Sequence, residues 1–162
     1  MDAYEDVTGE SLSVLSVTER PDFICVRKDG RKVGVELVKV RQGHPDEILF
    51  RRLIEKQAHM SIDHFLEMLQ DVISKKEIKR NESDWKLQDA TILLIEIMDI
   101  PLAEIKNILK PEILPDLYAS GFAEVWLVDF SGVEAYDKVQ LFCATQNEWA
   151  GYHPRVIQKP YG

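Results

Sequence analysis

Two acidic residues in neighbouring apolar segments are the clearest indication of chemistry in this 162-residue chain. Asp22 follows Pro21 at the start of one apolar segment, and Glu36 lies in the middle of the next. The Asp29-Gly30 pair between the two segments is typical of a β-hairpin turn. Two carboxylates that face each other across a hairpin supply the oxygen ligands that Mg²⁺ and Mn²⁺ prefer.

The length of the hairpin turn decides whether these carboxylates can act together, because side chains alternate between the two faces of a strand. A two-residue turn would offset the acids by one position and direct them to opposite faces. A three-residue turn over 28–30, with Gly30 in the left-handed conformation, would pair Asp22 with Glu36 at about 5 Å between Cβ atoms. A longer turn or a bulge would change the pairing again.

The surroundings of Glu36 also bear on its role. Val35 and Leu37 flank it within a strongly apolar segment, where a carboxylate is costly unless it is paired or bound to a metal. The alternative is that Asp22 only forms a turn after Pro21 and that Glu36 is a solvated strand residue. Both interpretations remain open at this point.

The order of the predicted elements indicates an α/β fold. Apolar patterns predict six strands, at 11–17, 22–28, 32–40, 91–99, 124–130 and 139–145. Helical spacing extends from Ile48 to Lys79, in one helix or two, and a further helical region spans 101–118. The central strand–helix–strand alternation favours parallel pairing, whereas the opening hairpin is antiparallel. We expect one domain over 1–162, with a mixed sheet, helices on its faces and an irregular tail at 146–162.

The formal net charge of −8 argues against a general nucleic-acid-binding protein, which would usually carry a basic surface. It does not exclude a nuclease, because a carboxylate-rich site adds negative charge itself. A local basic cluster flanks the hairpin and consists of Arg20, Arg27, Lys28, Arg31 and Lys32. This cluster could offset the acidic balance near the site, or its members could simply be solvated turn residues.

The chain shows no sign of export or of membrane insertion. Its first ten residues, MDAYEDVTGE, are acidic and polar, unlike a secretory signal. No apolar run approaches the roughly 18 residues needed to cross a bilayer. Cys25 and Cys143 both lie in predicted strands and are expected to be reduced core thiols. We therefore expect a cytoplasmic location.

The hairpin resembles the motif of the PD-(D/E)xK superfamily, the restriction-endonuclease-like nucleases. The resemblance depends on Pro21-Asp22, on Glu36 within a Gly-Val-Glu-Leu segment, and on the order of the elements that follow. It implies a restriction-endonuclease-like fold, Asp22 and Glu36 as ligands of Mg²⁺ or Mn²⁺, and a phosphodiester bond of nucleic acid as the substrate. By analogy with many such nucleases, it also implies a homodimer.

One component of the family pattern is absent from the hairpin. The pattern places Lys two residues after the acid, and here that position is Val38. Lys39 is adjacent, but alternation should direct it to the other face. In some such families a neighbouring element carries the basic group. Three residues of the following predicted helix are the candidates here, with the first preferred as the third catalytic residue: Lys56, Arg52 and Gln57.

Three functional hypotheses follow from these features. In the first, Asp22 and Glu36 bind a metal, and Lys56 steadies the attacking water or the charge of the transition state of a nuclease. In the second, the same fold is a catalytically inactive binding or assembly module, which the acidic balance and Val38 favour. In the third, an unrelated small α/β domain carries the two acids by coincidence, and they should then face opposite sides of the sheet.

Overall fold

The computed structural model describes residues 2–40, 62–82, 85–86 and 88–157. Within these residues, seven strands form one sheet in the order β1 to β7. The strands are β1 Leu12–Val17, β2 Phe23–Arg27, β3 Lys32–Val40, β4 Ala90–Ile97, β5 Glu124–Asp129, β6 Lys138–Cys143 and β7 Gly151–Val156. The helices are α1 Asp2–Thr8, α2 Ile62–Arg80, α3 Leu102–Ile105, α4 Pro115–Tyr118 and α5 Val133–Tyr136.

The sheet is mixed, and strands that follow each other in the chain are neighbours in space. β1, β2 and β3 pair in antiparallel fashion, and so do β5, β6 and β7. The β3–β4 and β4–β5 pairs are parallel, because helical segments intervene between their strands. The prediction of an α/β fold with an antiparallel opening hairpin and a parallel centre is confirmed.

The prediction of an irregular tail over 146–162 is wrong for Gly151–Val156, which forms the edge strand β7. Pro154 made this segment look unsuited to a sheet, because proline cannot donate a backbone hydrogen bond. An edge strand tolerates proline, since only one of its sides is paired, and Pro154 lies opposite Gln140 of β6. Residues 158–162 lie outside the described residues.

The longest described helix, α2, owes its position to one apolar stripe. Its buried residues Phe65, Leu69 and Ile73 recur at intervals of four and face the sheet. Lys79 and Arg80 lie in its last turn, where positive charge complements the helix dipole. The predicted helical segment before Ile62 lies outside the described residues. No helix within the described ranges is both long enough and apolar enough to cross a membrane.

The two faces of the sheet are covered to different extents. On one face, the side chains of Val40, Leu93 and Leu127 pack with those of α2, α3 and α4 into the larger core. On the other face, Cys25 and Trp126 belong to a smaller core that packs against the seven-residue helix α1. Because α1 is short, this second face keeps an open, mostly apolar cavity of about 550 Å³. The two faces are called the α2 face and the α1 face below.

Candidate active site

The hairpin of β2 and β3 has the register that a shared metal site requires. Phe23 pairs with Val35, and the backbone N–H of Arg27 donates to the carbonyl oxygen of Arg31 at 3.0 Å. The turn therefore contains three residues, 28–30. Gly30 has a φ of 86°, the left-handed conformation that such a turn needs and that glycine adopts without strain. One further step in this register brings Asp22 opposite Glu36.

Direct hydrogen bonds join the two acidic residues and the strands that carry them. The backbone N–H of Asp22 donates to Oε2 of Glu36 at 3.2 Å. The backbone N–H of Leu37 donates to Oδ2 of Asp22 at 2.7 Å. Glu36 is only 3% exposed, whereas Asp22 is partly exposed. Glu36 lies on the α2 face, and these two hydrogen bonds hold Asp22 beside it.

A lysine from α2 completes the charged group. Lys76 Nζ donates to Oε1 of Glu36 and forms an ion pair with it. The Lys76 side chain retains 18% of its exposure, so the ammonium group is at the border between the core and solvent. This ion pair therefore lies where α2 crosses the hairpin, next to the backbone of Asp22.

Contacts at the end of α2 set the direction in which Lys76 points. Oε1 of Glu77 accepts the backbone N–H of Gly121 at 2.7 Å. Arg80 Nη1 donates to the carbonyl oxygen of Gly121 at 2.6 Å, and the Arg80 guanidinium lies 5.3 Å from the centre of the Phe122 ring. These bonds hold one side of the helix against the segment before β5. Lys76 is thereby left on the side that faces β3.

The Pro21-Asp22 segment is also held in place. The Thr18 N–H donates to the carbonyl oxygen of Asp22 at 2.8 Å, and the Lys86 N–H donates to that of Arg20 at 2.9 Å. Pro21 packs on Gly34 so closely that a Cβ atom at Gly34 would lie 2.7 Å from Pro21 Cγ. The absence of a side chain at Gly34 therefore allows Asp22 to approach Glu36.

The structure describes only some of the basic residues named from sequence. Lys56, Arg52 and Gln57 lie outside the described residues, so their positions relative to the acids stay predictions. Lys39 lies on the α1 face, as expected, with its Nζ 3.3 Å from Oε2 of Glu96. Val38, at the position where the family has lysine, packs against the larger core.

Sequence reasoning missed Lys76, although a signal was present. Lys76 lies three residues after Ile73 and four after Val72, so it extends the apolar stripe of α2. A lysine at such a position needs a counter-charge on the element that the helix covers. Glu36 is the acid that a search of the neighbouring strands would have offered.

Most residues of the basic cluster around the hairpin form ion pairs with acidic residues. The Arg27 guanidinium is buried and lies 2.5 Å from Glu124. Arg20 pairs with Glu82 at 2.7 Å, Lys28 with Glu5 at 3.5 Å and Arg31 with Asp29 at 2.6 Å. Four of the five cations therefore do little to offset the net charge of −8.

A second group of buried polar side chains lies on the α1 face and ties α1 to the sheet. The Tyr4 hydroxyl donates a hydrogen bond to Oε2 of Glu124 at 3.0 Å, and Trp126 Nε1 donates to the same oxygen at 2.9 Å. Arg27 neutralises the Glu124 carboxylate. Burial, followed by the charge of Glu124, raises the pKa of the Tyr4 phenol above its ordinary value. These groups satisfy one another, and we assign them a structural role.

The donor set near Asp22 suits a magnesium-type ion better than a zinc-type ion. The described ranges contain no group of three or more His, Cys, Asp or Glu side chains placed to hold a metal ion. Mg²⁺ differs from zinc because it commonly uses one or two carboxylates and keeps several waters. Each carboxylate oxygen has two lone pairs, so one hydrogen bond to an oxygen leaves a second position available.

The arrangement thus consists of Glu36 in an ion pair with a lysine of α2, and of Asp22, which is held beside Glu36 by two backbone hydrogen bonds. Its interpretation depends on this geometry. Comparisons of the chain with models of known protein families, with curated proteins and with solved structures give no match.

Proposed function

We propose that this protein is a metal-dependent nuclease that hydrolyses phosphodiester bonds in nucleic acid and has a restriction-endonuclease-like fold. The observation that carries the proposal is that Glu36 on the α2 face accepts hydrogen bonds both from Lys76 and from the backbone of Asp22. The sequence resemblance supports the two acids, and Lys76 supplies the positive charge that Val38 cannot. Lys76 thus replaces Lys56 as the first candidate for the third catalytic residue.

The order of the elements gives additional support. A short helix, three antiparallel strands, a long helix and a strand parallel to the third follow one another in this chain. The resemblance covers the order of the elements that follow the hairpin, and Glu5 belongs to the helix that precedes it. Glu5 pairs with Lys28 at the far end of the hairpin, so we give it no role in the reaction.

Asp22 and Glu36 would hold Mg²⁺ or Mn²⁺ through their carboxylate oxygens. An ion bound there lowers the pKa of a coordinated water and offsets negative charge on the phosphate. The Leu37 N–H fixes the orientation of the Asp22 carboxylate, and the Asp22 N–H fixes that of Glu36. Such fixed ligands reduce the reorganisation needed during the reaction.

Lys76 would contribute its ammonium group in two ways. It holds one oxygen of Glu36, which leaves the other side of this carboxylate to face Asp22. Its partial exposure also allows it to donate a hydrogen bond to a phosphate oxygen or to the attacking water. The role resembles that expected of the lysine in the family pattern, although the residue comes from a different element.

A second candidate function is supported by the burial of Glu36. Both of its oxygens already accept hydrogen bonds, and only 3% of the residue is exposed. A lysine that permanently neutralises the carboxylate would weaken its affinity for a cation. In that case the chain would be a binding or assembly module with the same fold, and the ion pair would only stabilise it.

A cleavage assay tests the proposal. The chain would be incubated with single-stranded and double-stranded DNA and RNA in the presence of Mn²⁺ or Mg²⁺. We expect cleavage by the wild type and a loss of about 100-fold or more in Lys76→Met and Glu36→Gln. Lys39→Met is the matched control, because Lys39 is on the same strand as Glu36 but on the α1 face. It should retain activity.

Two outcomes would count against the nuclease. Cleavage that persists unchanged in Glu36→Gln would mean that another site or a contaminant is responsible. If a folded wild type binds the metal but cuts none of the four substrates, the assembly module becomes the better description.

A further inference from the structure

The two edges of the sheet differ in how they are protected. β7 contains Pro154 and Arg155, and proline or charge on an edge strand discourages pairing with another chain. β1, with the sequence LSVLSV, contains neither proline nor a charged residue. Among the residues that the structure describes, nothing pairs with the outer side of β1, which is therefore the open edge of this seven-stranded sheet.

Large apolar side chains on β1 are also unusually exposed. Val14, Leu15 and Val17 are 52%, 53% and 74% exposed. The pairing of β1 with β2 shifts between Val14 and Ser16, so Leu15 lies in a bulge. Val14 lies opposite Cys25 and Val17 opposite Phe23, which places both valines on the α1 face. A concentration of exposed apolar groups on an open edge is typical of an interaction surface.

We propose that β1 pairs with β1 of a second copy of this chain, so that two sheets become one continuous sheet. The strand is self-complementary when it runs antiparallel to itself. Leu12 then faces Val17, Ser13 faces Ser16, and Val14 faces Leu15 of the other copy. The contacts are reciprocal, as the twofold symmetry of a homodimer requires, and apolar residues meet apolar residues and serines meet serines at every position.

The charge of the chain opposes the association of two copies outside β1, and this predicts a distinctive response to salt. Two chains of net charge −8 repel each other, and the same register brings Glu10 of one copy opposite Glu19 of the other. The six residues of β1 form an uncharged strip, so contact between two such strips involves no charged side chain. Because salt screens the repulsion and breaks no ion pair of this strip, higher ionic strength should tighten the dimer.

The test is the mass of the full chain in solution, measured by sedimentation equilibrium over a range of concentrations and at low and high salt. We expect a dimer whose dissociation constant falls as salt rises. Val14→Lys should weaken association by about 100-fold or more. Val156→Lys is the matched control, because Val156 is 63% exposed, lies on the opposite edge strand and changes the net charge equally. It should dimerise like the wild type.

The proposal does not depend on metal binding or on cleavage, so it can fail or hold separately from the proposed function. A wild type that stays monomeric at all concentrations would overturn it. So would a dimer that salt dissociates, or one that survives Val14→Lys and is lost in Val156→Lys. Circular dichroism of both variants would ensure that a loss of dimer does not reflect unfolding.

Discussion

Lys76 on α2 forms an ion pair with Glu36 on β3, across 40 positions of sequence. The contact supplies positive charge at a hairpin whose own strand offers Val38 at the expected place. It also compensates two charges at the edge of the core, where an uncompensated charge would be costly. One pair of residues thus links the stability of the fold to the chemistry proposed for it.

The first prediction concerns the stability contributed by this ion pair. Lys76→Met leaves the buried Glu36 carboxylate without its counter-charge, and we expect a loss of about 3 kcal/mol in the free energy of unfolding. Lys76→Met combined with Glu36→Gln should cost less than the sum of the two single changes, since neither charge then remains unpaired. Urea denaturation of the three variants measures this coupling.

A second ion pair on the same helix serves as the control for that experiment. Lys75 and Asp71 are 2.7 Å apart, and both side chains are largely exposed. Lys75→Met should therefore cost less than about 1 kcal/mol. If Lys76→Met were no more destabilising than Lys75→Met, the partly buried pair would not have the energetic importance assigned to it.

The second prediction concerns the contact between Pro21 and Gly34. A Cβ atom in Gly34→Ala would lie 2.7 Å from Pro21 Cγ, so the Pro21-Asp22 segment must move. We expect a loss of about 1–3 kcal/mol in stability and a marked fall in metal affinity. Cys25→Ala is the comparison, because Cys25 is buried on the α1 face of the same hairpin. It should lose stability but keep the metal affinity, and equal affinities in the two variants would argue against this role for Gly34.

Much of the fold could be predicted from sequence, because strands such as 32–40 and 124–130 are apolar and bounded by polar residues. The edge strand β7 could not, since Pro154 and Arg155 hide its pattern. The hairpin register remained undecided because it depends on the length of one turn. Lys76 was missed because its partner Glu36 is distant in sequence.

The third prediction concerns stability at alkaline pH. Burial raises the pKa of the Cys25 and Cys143 thiols above 9.0 and, together with Glu124, that of the Tyr4 phenol above 10.0. The folded chain therefore keeps protons that the unfolded chain loses. Stability should be constant near neutral pH and fall as the pH rises beyond about 9, by up to about 1.4 kcal/mol per pH unit for each such group.

Tyr4→Phe isolates the phenol in that profile. The variant loses the hydrogen bond to Glu124 and should be less stable at neutral pH by about 1 kcal/mol. Its stability should then fall less steeply than that of the wild type above pH 10. The exposed Tyr136, changed to Phe, is the control and should reproduce the wild-type curve. Parallel curves for Tyr4→Phe and the wild type would refute the assignment.

The most direct test of the central claim is calorimetric titration of Mn²⁺ into the wild type, Asp22→Asn, Glu36→Gln and Glu96→Gln. Glu96→Gln is the control, since its carboxylate pairs with Lys39 on the α1 face. We predict a single ion bound by the wild type and by Glu96→Gln, and at least about a tenfold loss of affinity in the other two variants. A folded wild type that binds no Mn²⁺, or whose binding survives both Asp22→Asn and Glu36→Gln, would contradict the account.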